Sequence, residues 1–231
     1  AFIASAMNPL LALILSLAAL ALIGLLINRV SVQPLIGRDP MTVLLSTYGV
    51  SFVLLYVALA LWGSHPPPQP IFLPVEPLKA CGITFSYAKI TLLVVGALMI
   101  AVFYLVFTKS KMGKYMRAVS QNLVGAKVIG IRVNYVYAFT FVAASVLAGI
   151  GAILISLTTT MHAYIGERML LLGFVVVIVG GLGSVIGSIT TGLALGVVLA
   201  LFSGYIDPKY AFAAVYGVMI IVLLVKPKGI A

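Results

Sequence analysis

The chain is 231 residues long, 63% hydrophobic and only 8% charged, with a mean hydropathy of +1.26. That leaves too little polar material to cover a water-facing surface, which excludes a soluble domain. The net charge of +10 is gathered in the connections between apolar runs, an arrangement that argues against a nucleic-acid surface and for membrane topology.

The apolar residues come in continuous runs rather than the dyad alternation of a membrane barrel. The expected fold is therefore all-α: a polytopic helical membrane protein with about six to seven apolar segments, one of them short and discontinuous or re-entrant. The one cysteine, Cys81, can neither close an internal disulfide nor build a metal site.

In chain order, no Met and no basic leader precede the first run, so the expectation is a chain whose first spans are missing. Asn8 reads as an N-cap and Pro9 as the first helical residue, opening an apolar run over 10–27. A short basic loop, 29–40, follows on the inside, and 41–62 returns outward with Trp62 at interface depth. The segment 63–89 holds Pro66, Pro67, Pro68, Pro70, Pro74 and Pro77, which forbid a continuous helix. It reads as an external connector, or as a cap over the outer mouth.

The run 90–107 leads inward to the most basic stretch of the chain, 109–134, which carries Lys109, Lys111, Lys114, Arg117, Lys127 and Arg132 and no acid. Its length exceeds what a turn between helices requires. Asn122 is placed to cap a short helix over 123–129 with Gly130 as its left-handed stop, and 112–120 is a further helical stretch. The run 135–155 goes outward to an external connection, 156–168. The apolar run 169–179 is too short to span and is broken by Gly180, Gly181, Gly183 and Ser184 before a second run, 185–202. A polar external turn over 203–210 precedes a last inward run, 211–225. The basic residues Arg29, Arg38, Lys226 and Lys228 join the 109–134 set on the inner side, whereas Lys79, Lys89, Arg168 and Lys209 share the outer side with Glu76, Glu167 and Asp207. Such a distribution also suits anionic lipid headgroups.

No Asp, Glu, Lys, Arg or His falls inside these assigned runs, which argues against proton coupling or voltage sensing and leaves no catalytic acid–base pair at membrane depth. No catalytic residue and no metal site is expected, since His65 and His162 lie in loops without partner ligands. Ser184, Ser188, Gly192, Gly196, Ala200 and Gly204, with Gly183 and Gly187 beside them, lie at spacing four on one helical face. Small residues there let another backbone approach, as a fixed contact or as a hinge that slides. The glycines 180, 181 and 183 lack the Lys-Ser/Thr of a phosphate loop. Span hydroxyls such as Thr140, Ser145, Thr190, Thr191 and Tyr216 can bond their own helix or line a passage. The densest group, Ser46, Thr47, Tyr48 and Ser51, is the candidate passage lining.

Residues 113–122 (GKYMRAVSQN), Ala126 and 130–133 (GIRV), then 174–187 (FVVVIVGGLGSVIG) and 226–229 (KPKG) resemble, in order, the branched-chain amino acid ABC importer permeases. Residues 35–38 are a looser match to an arginine–proline loop of that family, and its early Asn-Phe-Ala-His-Gly region is missing. The resemblance implies a single transmembrane permease domain over 1–231 in the cytoplasmic membrane, with 109–134 as its cytoplasmic coupling loop. Gly113, Lys114, Arg117, Ala118, Gln121, Asn122, Ala126 and Gly130 would form that loop, and Gly180, Gly181, Gly183, Ser184, Gly187, Gly192 and Gly196 the packing or hinge set. It also implies a second permease subunit, two cytoplasmic ATPases that bind the ATP, and an external solute-binding protein delivering leucine, isoleucine or valine. Relatives that carry urea, amides or other amino acids, and a stand-alone passive channel for small neutral solutes, stay open as alternatives.

Overall fold

The computed structural model describes residues 9–63, 78–80, 83–181, 183–226 and 229. It falls into two compact units, Ala1–Ala163 and Tyr164–Ala231. Nine α-helices, α1 to α9, and one short hairpin lie among the described residues.

In the first unit α1 (Pro9–Ile27) does not stop at a loop. It runs on through a π-turn, Asn28–Val32, and a 3-10 turn, Gln33–Leu35, so the apolar path is Leu11–Leu35. The expected loop over 29–40 thus shrinks to 36–39. Nothing before Pro34 breaks the helix, and Pro34 sits at the start of the 3-10 turn, where a missing N–H costs little. Arg29 therefore lies within a span, correcting the expectation of charge-free runs, and its exposed side chain can reach the interface along its own stem. Asn8 lies outside the described residues. Asp39 then caps α2 (Pro40–Trp62), its Oδ1 accepting the Met41 N–H at 3.4 Å.

Within 63–89 the structure adds a hairpin that composition does not signal: β1 (Leu78–Ala80) pairs antiparallel with β2 (Ile83–Phe85), Leu78 opposite Phe85. The proline-rich part, 64–77, lies outside the described residues. Helix α3 (Tyr87–Lys109) takes in Lys89 and Lys109 at its ends. Then come α4 (Lys111–Gln121), α5 (Leu123–Val128) and α6 (Val133–Ser156). α1 lies along α6, and their backbones close in because Gly24 and Gly149 carry no side chain. A Cβ on Gly24 would meet the Ser145 side chain, 2.8 Å from its Cβ, and one on Gly149 would meet Leu20.

The second unit is a three-helix hairpin stack of α7 (Ile165–Gly180), α8 (Val185–Tyr205) and α9 (Pro208–Val225) around Val175, Val179, Leu195 and Val215. The short glycine-broken helix is there, but it begins at Ile165 rather than 169 and includes Glu167 and Arg168. The Arg168 guanidinium stacks on the Phe212 ring at 4.8 Å. The expected polar turn over 203–210 is only Ile206 and Asp207, because α8 runs through Tyr205. Asp207 restarts the helix by accepting the Lys209 N–H at 2.8 Å, with Pro208 in the first turn.

Among the described residues, five helices are long and apolar enough to cross a membrane. Their outward faces are apolar all round: Leu45 on α2 is 67% exposed and Leu93 on α3 is 69% exposed. Only a hydrocarbon solvent tolerates that much continuous apolar surface.

Candidate functional site

The basic segment is folded from its caps upward. Ser110 ends α3 and starts α4, its Oγ accepting the Gly113 N–H at 3.0 Å. At this elbow α4 lies on the last turn of α3 so closely that a Cβ on Gly113 would strike the Phe107 carbonyl, 2.6 Å from its carbon. Arg117 donates from Nη1 to the Phe107 carbonyl oxygen and lies 5.2 Å from the centre of the Phe107 ring. A cation at a helix C-terminus also meets the negative end of the macrodipole. Gly113 and Arg117 therefore act inside the segment, fixing α4 to α3.

The second short helix follows the expected plan. Asn122 Oδ1 accepts the Gly125 N–H at 2.9 Å, and Gly130, at φ 83°, reverses the chain into α6. Val119 of α4 and Ala126 of α5 are buried with Val133 and Val136 of α6, and Ile36, beyond the turns that extend α1, packs on the same cluster. Ala118 is half-buried, whereas Lys114, Gln121 and Asn122 are exposed. The residues singled out from sequence thus shape the segment more than they face outward. The outward apolar face lies elsewhere: Val124, Val128 and Ile129 are 70%, 80% and 73% exposed, with Lys127 exposed between them. These three were missed because they read as ordinary helix residues. Their one signal was an i, i+4, i+5 apolar face on a helix whose opposite side, Ala126, was already accounted for.

The small-residue face divides in two. A Cβ on Gly180 would lie 2.7 Å from the Gly187 carbonyl carbon and from the Ser188 nitrogen, and one on Gly192 3.7 Å from Val176 Cγ1, so these form the α7–α8 contact. Gly196 and Gly204 meet nothing within 4 Å. Ser184 caps α8 by accepting the Gly187 N–H at 3.0 Å. Gly181 and Gly183 have φ 94° and 97°, a region open to glycine. Gly229 sits on this turn, with its would-be Cβ 2.6 Å from the Gly181 Cα, so the turn is level with the end of α9.

On α2 the hydroxyls are used locally. Thr47 donates to the Val43 and Leu44 carbonyls and Ser51 to Tyr48, while the Tyr48 ring packs edge-on against Phe52 at 4.9 Å. Thr140 and Thr190 likewise donate to their own helices. Ser46, Thr47 and Ser51 are half-buried and Tyr48 is exposed. Among the described residues no group of three or more His, Cys, Asp or Glu is placed to hold a metal.

Comparison with known proteins agrees with this architecture. The family model described as "Branched-chain amino acid transport system / permease component" matches residues 1–224. The high-affinity branched-chain amino acid transport system permease protein BraD of Pseudomonas aeruginosa is 30% identical over 212 residues, covering 90% of this chain and 69% of that protein. The permease proteins LivH of Salmonella typhimurium and of Escherichia coli are 31% and 30% identical over 214 residues, with the same coverage. No solved structure matches the chain. A multi-pass helical protein of the cytoplasmic membrane, the chain belongs to the permease-component family of branched-chain amino acid transport systems.

Proposed function

We propose that the chain is the permease subunit of an ATP-driven importer that carries leucine, isoleucine or valine inward. It works beside a second permease subunit, receives its solute from an external binding protein, and is driven by two cytoplasmic ATPases that bind the ATP. The chain itself needs no cofactor. The observation that carries this reading is the two-faced fold of 109–134. Its inner face is locked into α3 and α6 by Arg117, Gly113, Val119 and Ala126, and its outer face offers Val124, Val128 and Ile129 beside a cation. An apolar helix face exposed on the basic side, outside the hydrocarbon, fits a groove on a partner protein, and a rigid inner face passes the partner's movement to the spans.

The test uses the complete transporter. Val124→Asp with Ile129→Asp abolishes binding-protein-stimulated ATP hydrolysis and uptake by about a hundredfold or more, as loss of apolar anchors worth ~2 kcal/mol each implies, while the protein still reaches the membrane. Unchanged coupled uptake sinks the proposal. Flux of small neutral solutes through the chain alone in liposomes, without ATP, would instead favour a passive channel. Uptake of urea or an amide in place of leucine would move the substrate class and leave the mechanism standing.

A further inference from the structure

Among the described residues, one buried side-chain atom has no hydrogen-bond partner, Oδ1 of Asn28. The residue is 1% exposed and opens the π-turn Asn28–Val32, in which Ser31 and Val32 are also buried. That turn lies against α2 and α6. One helical turn earlier Gly24 crosses α6 at Ser145 and Phe141, so Asn28 stands about 6 Å further toward the basic end, still within the span.

A carboxamide oxygen is an acceptor only, and holding it dry without a donor is unfavourable. Leucine has nearly the same shape and would fill the place without that penalty. No donor among the described residues reaches it, and Thr47 and Ser51 of α2 and Thr140 of α6 give their hydroxyl hydrogens to their own backbones. The helix also departs from α geometry at this residue, with the Gln33 N–H bonding the Asn28 carbonyl, and such π-turns gather at functional sites because they re-aim side chains.

We propose that Asn28, presented by the π-turn, is a solute subsite near the inner end of the passage, its Oδ1 accepting a hydrogen bond from the ammonium group of the transported amino acid. The inference rests on the transport function proposed above. A neutral acceptor holds an ammonium group without the trapping charge of a carboxylate, so the solute can leave toward the cytosol. Burial of the amide corresponds to a closed passage, and separation of α1 from α2 and α6 would open it. A water molecule offers the same donor chemistry, and the experiment tells the two apart.

The complete transporter, with its ATPase subunits, is placed in nanodiscs and tested for equilibrium binding of radiolabelled leucine without the binding protein. The competitor is 4-methylpentanoate, which is leucine without its amine. Asn28→Leu lowers leucine binding about tenfold or more, the loss of one charge-assisted hydrogen bond. Asn28→Asp keeps or tightens it, and 4-methylpentanoate does not displace leucine from the unaltered complex. Co-elution of the Asn28→Leu permease with its ATPase subunits in size-exclusion chromatography shows that the variant is assembled; should it not assemble, Asn28→Ala gives the same loss. Equal leucine binding by Asn28→Leu, or no leucine binding by an unaltered complex that hydrolyses ATP when its binding protein docks, overturns the subsite and leaves the transport function intact. An unaltered complex whose ATP hydrolysis ignores the binding protein overturns both.

Discussion

At the scale of single residues, the elbow between α3 and α4 shows how a glycine and an arginine divide one task. Gly113 lets the helices touch, and Arg117 holds them by the Phe107 carbonyl and ring. Gly113→Ala forces a Cβ onto backbone atoms, the Phe107 carbonyl and, at 2.8 Å, the Val106 oxygen. Backbone cannot step aside as a flexible side chain can. The overpacking penalty of ~1–3 kcal/mol therefore outweighs the ~1 kcal/mol that alanine gains in helix propensity. Thermal unfolding in detergent should show a lower midpoint for Gly113→Ala, and none for Gly96→Ala on α3, where a Cβ meets nothing within 4 Å. Arg117→Lys keeps the charge but loses the planar stack on Phe107. Its coupled ATP hydrolysis should fall between those of the unaltered protein and Arg117→Ala, and equal activity in all three would remove Arg117 from the joint.

At the scale of elements, the sequence was legible wherever a local rule decides. Caps and stops read correctly because the partner lies within three residues: Asn122 with Gly125, and Gly130 as the turn into α6. The apolar runs were found because a bilayer demands them, though α8 ran three residues past its expected end. What was not legible depends on distant chain. The π-turn at Asn28 is invisible to hydropathy, and a search for charges and hydroxyls passes over an amide. The spacing-four face suggested one long contact, yet Gly196 and Gly204 are open, since a ladder says what can be approached and not what approaches. The α1–α6 crossing uses single glycines that no repeat announces. Gly24→Ala places a Cβ 2.8 Å from that of Ser145 and 3.1 Å from the Phe141 oxygen, so it should destabilise the protein by about 1–2 kcal/mol. Adding Ser145→Gly should return most of the loss, because the crowding is mainly with that side chain. If the double variant is no more stable than Gly24→Ala in denaturation of the reconstituted protein, the two helices are not held by this crossing.

At the scale of the whole molecule, each unit carries its own orientation signal. In the first, the end of α1, Arg38 and the segment 109–134 fall on one side of the alternating helices, and the hairpin between α2 and α3 on the other. In the second, Gly229 against Gly181 sets the α7–α8 turn level with the end of α9, where Lys226 and Lys228 follow, and Asp207 stands at the opposite end. Retention of lysine and arginine on the cytoplasmic face then puts Lys127 and Lys226 inside and Asp207 outside. With Cys81 replaced by serine, a cysteine at position 127 should react with a membrane-impermeant maleimide only after the cells are opened, and one at 207 in intact cells. The reverse pattern would leave the apolar face of α5 in contact with the exterior, where no ATPase can reach it, and would overturn the energy-coupling role proposed for 109–134.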